Sequence, residues 1–232
     1  MKHLLFCLLI ISLGAKAQDC RNYFYLTNNA TIELKVYDKK GKESATQTMK
    51  VSDVKKSGGG YESTINTSMT DDKGKETMKS SGRYKCENGM LMADIRMSMP
   101  SEQMQAYEGP QATLNPAFLE YPNNMSAGQA LKDADFNMDF EMKKGTGKIN
   151  ITFRETNRKV EKKETITTPA GTWEAWVITY DANFRAVMGG IGIPSSMKGK
   201  EWFVPNFGVV KTETYNKNGK LMGSTILNAL TK

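Results

Sequence analysis

From Thr31 onward the apolar residues recur at every second position, and a period of two is the signature of strands with one buried face. Ile32, Leu34 and Val36 share one face, with Thr31, Glu33, Lys35 and Tyr37 on the other. Tyr61 to Met69 and Met78 to Cys86 alternate in the same way, and Leu91, Ala93, Ile95, Met97 and Met99 keep the rule. Between these runs stand Asp38-Lys39-Lys40-Gly41-Lys42, Ser57-Gly58-Gly59-Gly60, Asp71-Asp72-Lys73-Gly74-Lys75 and Glu87-Asn88-Gly89. Glycine and asparagine accept the positive φ that tight hairpins demand, so these are turns. The first half reads as a five-stranded antiparallel meander.

Pro100, Pro110, Pro116 and Pro122 then crowd a short stretch. Proline cannot donate to a sheet ladder, so residues 100–122 are predicted to be a connector, with Ser101 to Glu108 as one short candidate helix. Alternation resumes at Phe136, Met138, Phe140 and Met142, and across a Lys143 to Thr146 loop at Ile149, Ile151 and Phe153. That loop sets Glu141 opposite Lys148 and Asp135 opposite Arg154. Further strands are expected near 159–167, 172–181, 201–204, 209–215 and 221–230. The reading is one all-β unit over residues 18–232, with ten to twelve antiparallel strands in two meander halves, 18–99 and 123–232, and at most one or two short helices.

Residues 1–17 read as a cleaved signal peptide: Lys2, the apolar run Leu4 to Leu13, then Ala15-Lys16-Ala17. Ten apolar residues are too few for a transmembrane segment. Periplasmic or extracellular localisation follows. Cleavage would remove His3, the single histidine, and leave 30 basic against 25 acidic residues (32 − 2 and 25). A mature chain without imidazole excludes His-dependent hydrolases and His-ligated metals. No block of cations marks a nucleic-acid-binding arm, and no cofactor motif is present. Cys7 leaves with the signal, so Cys20 and Cys86 remain as an even pair in an oxidising compartment, and a disulfide is predicted. It would close a loop of 67 residues (20 to 86 inclusive), worth roughly 4 kcal/mol in the loop-entropy view.

Asp135, Asp139 and Glu141 form the best group of carboxylates, with Asp139 and Glu141 roughly 7 Å apart on one strand face. Cations on the partner strand offer a charge-paired explanation, and a carboxylate-dependent hydrolase acting on envelope or extracellular glycans is the alternative to a non-catalytic role. Met90 and Met92 sit on the opposite face from Met97 and Met99, which suits core filling rather than a metal site. Trp173 and Trp176 also fall on opposite faces, as in a strand buried on both sides. The segment Val187 to Pro194 is apolar, glycine-rich and flanked by Arg185 and Lys198. It is expected to be a loop, either folded over the core or forming a lip over an apolar groove, with Met188, Ile191 and Ile193 as candidate ligand contacts.

The stretch Thr167-Thr168-Pro169-Ala170-Gly171-Thr172-Trp173, followed by Glu201-Trp202-Phe203-Val204-Pro205-Asn206-Phe207-Gly208-Val209-Val210-Lys211-Thr212-Glu213, resembles a family of bacterial secreted proteins called TapB-like. Gln18-Asp19-Cys20 and the turn Tyr215 to Leu221 extend the resemblance over most of the mature chain. Asn206 stands where the family pattern has glycine, and asparagine also tolerates the positive φ of a type II turn. The resemblance implies a bacterial cell-envelope setting and a strongly curved antiparallel sheet or open barrel. It carries no catalytic residue. Together these readings point to a secreted or periplasmic protein binding a lipid, a hydrophobic small molecule or an envelope protein.

Overall fold

The structure, a computed structural model, describes Cys20 and residues 23–98, 117–141 and 148–232. Alternation becomes β1 (Thr31–Asp38), β2 (Glu43–Ser57), β3 (Gly60–Asp71), β4 (Glu76–Glu87), β5 (Met90–Asp94), β6 (Phe118–Tyr121), β7 (Ala134–Glu141), β8 (Lys148–Thr168), β9 (Gly171–Met188), β10 (Ile191–Val204), β11 (Gly208–Asn216) and β12 (Leu221–Thr231). All belong to one sheet of order β6-β5-β4-β3-β2-β1-β12-β11-β10-β9-β8-β7. Each neighbouring pair is antiparallel, and the sheet curls into a nearly closed barrel. The two meanders meet where β1 pairs with β12, from Thr31 opposite Thr231 to Asp38 opposite Gly223. They wind away from that line to the two edges, β6 and β7. Glu141 faces Lys148 and Asp135 faces Arg154, as the loop arithmetic required.

Four local departures from the sequence reading have physical causes. The strand expected to run to Met99 stops at Asp94, and Ile95–Ser98 forms a 3-10 turn. Met97 is drawn across β4 instead: a Cβ on Gly82 would lie 2.1 Å from Met97 Cγ, and the Ser80 hydroxyl donates to the Met97 carbonyl at 2.6 Å. Phe118–Tyr121, inside the proline-bearing segment, is the edge strand β6, and an edge is where a sheet tolerates flanking prolines. The runs 148–153 and 159–167 are one strand of 21 residues, bent by a bulge at Asn157, whose φ is 55°. Finally, Val187 to Pro194 is not a loop. Gly189 and Gly190, with φ of 57° and 80°, make the two-residue turn of a β9–β10 hairpin, and both positions demand the left-handed region. The candidate helix at Ser101 to Glu108 and the signal peptide lie outside the described residues.

Hairpin turns alternate between the two ends of the barrel. Turns 58–59, 88–89, 169–170 and 205–207 lie at one end; turns 39–42, 72–75, 189–190 and 217–220 lie at the other. The first end is plugged by the segment leading into β1. Tyr23, Tyr25 and Leu26 are buried there, Tyr25 stacks on Tyr84 with ring centroids 4.4 Å apart, and the Ser63 hydroxyl donates to the Tyr25 carbonyl at 2.6 Å. Gly208 is obligatory beneath the plug, because a Cβ there would lie 2.4 Å from the Tyr25 ring. Asn206, with φ of 63°, supplies the positive-φ residue of the turn after Pro205. β9 is buried on both faces, by Ala175 and Val177 on one and Ile178 on the other.

Cys20 is bonded to Cys86, with their Cα atoms 5.5 Å apart, so the plug is tied to the end of β4. Replacing Cys86 by alanine is expected to lower unfolding free energy by about 2–4 kcal/mol in urea titration, and adding reductant to the unaltered protein should reproduce that loss. A variant as stable as the oxidised parent would mean the plug holds without its tether.

Candidate functional site

The open end of the barrel is built by the β9–β10 hairpin. No register shift interrupts this pair, so simple alternation carries Phe203, Glu201, Gly199, Met197, Ser195, Ile193 and Ile191 along the inner face of β10. Exposure climbs along that row: Phe203 is 0% and Glu201 4% exposed, whereas Ile193 is 67% and Ile191 72% exposed. Neighbouring strands continue the apolar lining. Ile193 faces Ala186, which faces Ile151; Ser195 faces Phe184, which faces Phe153 and then Phe136. Of the three candidate contacts, Ile191 and Ile193 therefore share the inner face, and Met188 holds the register position opposite Ile191. Arg185 and Lys198 occupy the other face. The Arg185 guanidinium lies against Gly192, where a Cβ would come 2.9 Å from its Nε.

Below this mouth lies a buried charge cluster. The bulge at Asn157 turns Arg158 inward, where its side chain is fully buried. Its Nη1 donates to the Glu120 carbonyl at 3.1 Å and the Lys132 carbonyl at 3.0 Å. One guanidinium thus binds the backbone of β6 and the residues leading into β7, the two edges that share no ladder. Nε lies 2.9 Å from Glu155 Oε1 and Nη2 3.7 Å from Glu201 Oε1. These are ion pairs with the N–H groups aimed off the oxygens, and all four atoms are buried without a hydrogen bond. The Tyr121 hydroxyl donates to Glu201 Oε2 at 3.2 Å, and its ring stacks on Phe203 at 4.8 Å while covering the guanidinium at 5.0 Å. Tyr180 lies across Gly199, where any Cβ would overlap its ring.

Two carboxyl groups facing one guanidinium cannot both ionise cheaply out of water. Burial, and then the facing Glu201, push the Glu155 carboxyl up to about 8. Burial raises Glu201 as well, against the opposing pull of Arg158 and the Tyr121 hydroxyl. Burial and Glu201 hold Tyr121 well above the usual phenol range. The cluster stores a proton and fastens the barrel.

Asp139 and Glu141, the carboxylates singled out in the sequence, pair with Asn150 and Lys148 in the β7–β8 ladder. Their register positions share a face with Asp135 and Asn137 rather than with buried Phe136. Among the described residues, no group of three or more His, Cys, Asp or Glu is placed to hold a metal ion, and no helix is long and apolar enough to cross a membrane. Glu155 and Glu201 were missed although a signal existed: each falls two positions from a phenylalanine of an apolar face, Phe153 and Phe203. Arg158 gave no such signal, because only the bulge puts it inside.

Fold and site together define a plugged, one-ended β-barrel with an apolar mouth over a buried ion cluster. The chain belongs to the DUF3108-like family, whose model matches residues 27–227; the finer TapB-like label is not what that match shows. The structure is similar to that of a protein assigned as exported, with a YmcC-like fold, from Bacteroides fragilis NCTC 9343 (20% identity, TM-score 0.68, covering 89% of this chain and 97% of that one). It is also similar to a protein assigned as a lipoprotein from Parabacteroides distasonis ATCC 8503 (26% identity, TM-score 0.69, covering 92% and 100%). No curated protein matches the chain.

The raised Glu155 carboxyl makes stability depend on pH with a definite sign. Unfolded, it loses its proton near 4.5; folded, it keeps it to about 8. Between those values the native state binds more protons, so stability from this group is full below 4.5 and is lost as pH rises through 8. Thermal melts from pH 5 to 8.5 should show that decline, and Glu155→Gln, which cannot ionise, should flatten it. Arg158→Met, which leaves the acids without their partner, is expected to cost about 3–5 kcal/mol in urea titration at pH 8.

Proposed function

We propose that this chain is a non-catalytic exported protein of the bacterial envelope, of the TapB-like kind, that holds an apolar ligand in the open half of its barrel. An acyl chain is the occupant its lining suits, and Met188, Ile191 and Ile193 are the contacts at the rim. The observation that carries this reading is the climb in exposure along the inner face of β10, from buried Phe203 to Ile191. A barrel interior is filled by side chains or by a ligand. Here side chains and the tyrosine plug fill one half, while in the other the row from buried Phe136 through half-buried Phe153 and Phe184, and that from Ile151 to exposed Ile193, lead outward to the rim. A linear hydrocarbon on such a surface gains roughly 0.8 kcal/mol per buried methylene, before the costs of immobilising it.

The exported and lipoprotein assignments of the two similar structures support the envelope setting. The only acids described inside the barrel near the site, Glu155 and Glu201, face Arg158 and Tyr121 beneath the apolar lining, which favours a structural role for them over hydrolysis.

Native mass spectrometry of protein purified from its own host should reveal a co-purifying apolar molecule, and a fluorescent fatty acid should bind the delipidated protein. Ala186→Trp, which places a large ring between Ile193 and Ile151, is expected to weaken that binding at least tenfold without unfolding the barrel. Absence of a co-purifying molecule together with unchanged fatty-acid affinity in Ala186→Trp would remove the support for this reading.

A further inference from the structure

Three turns at the open end are built alike. In each, an Asp or Asn side chain accepts two backbone N–H groups: Asp38 from Lys40 and Lys42, Asp71 from Lys73 and Lys75, and Asn216 from Asn218 and Lys220. In each, the fourth residue is a glycine with φ of 77°, 81° or 75°, and a lysine follows it. Because the first side chain, Asp38, Asp71 or Asn216, folds back onto the turn's backbone, the side chains pointing outward are mainly cations. Lys39, Lys40 and Lys42 crown the first turn, Lys73 and Lys75 the second, and Lys217 and Lys220 the third, all exposed. Asp72 is the one outward acid within these turns and pairs with Lys42 at 3.4 Å. Just beyond the turns, Glu43 and Glu76 are taken by Lys35 and Lys79.

The same end carries the exposed apolar side chains. Ile191, Ile193 and Met222 are the large hydrophobic residues exposed among the described part of the chain, at 72%, 67% and 51%. The first two form the hairpin tip, and Met222 follows the third lysine turn. Turns 58–59, 88–89, 169–170 and 205–207 at the plugged end contain no charged residue. The described hairpin turns are therefore polarised, with lysines and exposed apolar side chains at one end and neither in the turns of the other.

We propose that the lysine end of the barrel docks on an anionic lipid bilayer, with Ile191 and Ile193 entering the interface and the three lysine turns lying against the lipid phosphates. Apolar side chains ringed by cations match the two layers of such a surface, hydrocarbon below and negative charge above. The dimensions agree. Residues Ile191 to Ser196 extend past the last β10–β11 pair, Met197 with Asn216, so the tip projects at most about 20 Å along the strand beyond the lysine turns. Sinking it by about 5–10 Å and extending the lysine side chains brings their ammonium groups within about a Debye length, 8–10 Å, of the phosphates. Arg185, against Gly192 between the two isoleucines, places one more cation at the tip itself. This inference goes beyond the ligand reading and does not require a ligand in the barrel.

Vesicle flotation tests it, using phosphatidylcholine vesicles with and without about 30 mol% phosphatidylglycerol at about 0.1 M salt. The protein is expected to float with the anionic vesicles, at least tenfold more tightly than with neutral ones, and to release as salt rises. Each lysine at such a surface contributes roughly fivefold, so Lys40→Glu, Lys73→Glu and Lys217→Glu together should cost a hundredfold or more. Lys56→Glu, Lys162→Glu and Lys163→Glu make the same change in net charge away from this end and should cost under about threefold. Ile191→Asp with Ile193→Asp should cost at least tenfold. Failure to float, equal losses in the two lysine triples, or full binding by the isoleucine variant accompanied by equally tight binding to duplex DNA would overturn the proposal, the last in favour of a general polyanion surface. Circular dichroism of each variant confirms that its sheet is retained.

Discussion

The seam of the barrel is fastened by a buried guanidinium, with the exposed Lys132–Glu120 ion pair across the same two edges. β6 and β7, the edges of the sheet, exchange no ladder bonds; Arg158 instead donates from one nitrogen to a carbonyl in β6 and another in the chain entering β7. A cation taken that far out of water needs counter-charge, and the barrel supplies it in excess as Glu155 and Glu201. The excess forces a proton into the interior, and Tyr121, donating to Glu201 while its ring spans Phe203 and the guanidinium, completes the package. Buried ion clusters add little net stability over a well-packed apolar core. What this one contributes is geometry, since hydrophobic packing alone does not specify where two unpaired edges must stop.

Everything above and below that clasp follows from how a barrel fills its interior. Below, three consecutive aromatic residues, Tyr23 to Tyr25, bring the chain back under its own sheet, and the disulfide to Cys86 holds them there. Above, the inner face keeps its apolar character while its neighbours thin out on one side, because β10 runs on past its last pair with β11, Met197 with Asn216. Unequal strand length thus turns a closed core into an open rim, and chemistry at the rim differs from that of the plug: lysine and isoleucine at one end, glycine, proline and tyrosine at the other.

The alternation at Ile32, Leu34 and Val36, and the glycine turns, made the meanders readable, since period two leaves no other regular structure. The Cys20–Cys86 pair was readable by elimination. Less legible was the stretch from Val187 to Pro194, where two glycines in an apolar run signal a loop as readily as a tight hairpin; the longer strands on each side decide the matter. The clasp was the hardest part. Glu155 and Glu201 are acids on apolar faces, a visible anomaly, but Arg158 reaches them only because Asn157 adopts a left-handed backbone, which shifts the period by one.

The pairing of the first strand with the last has a kinetic meaning. Thr31 meets Thr231, so the central ladder joins residues near opposite ends of the described chain, a contact of very high sequence separation that closes late. For a chain delivered end first from the ribosome, the first meander must wait with an unsatisfied edge until β12 arrives. Completion of the sheet is thereby coupled to the arrival of β12, and until then the first meander keeps one edge free to rearrange.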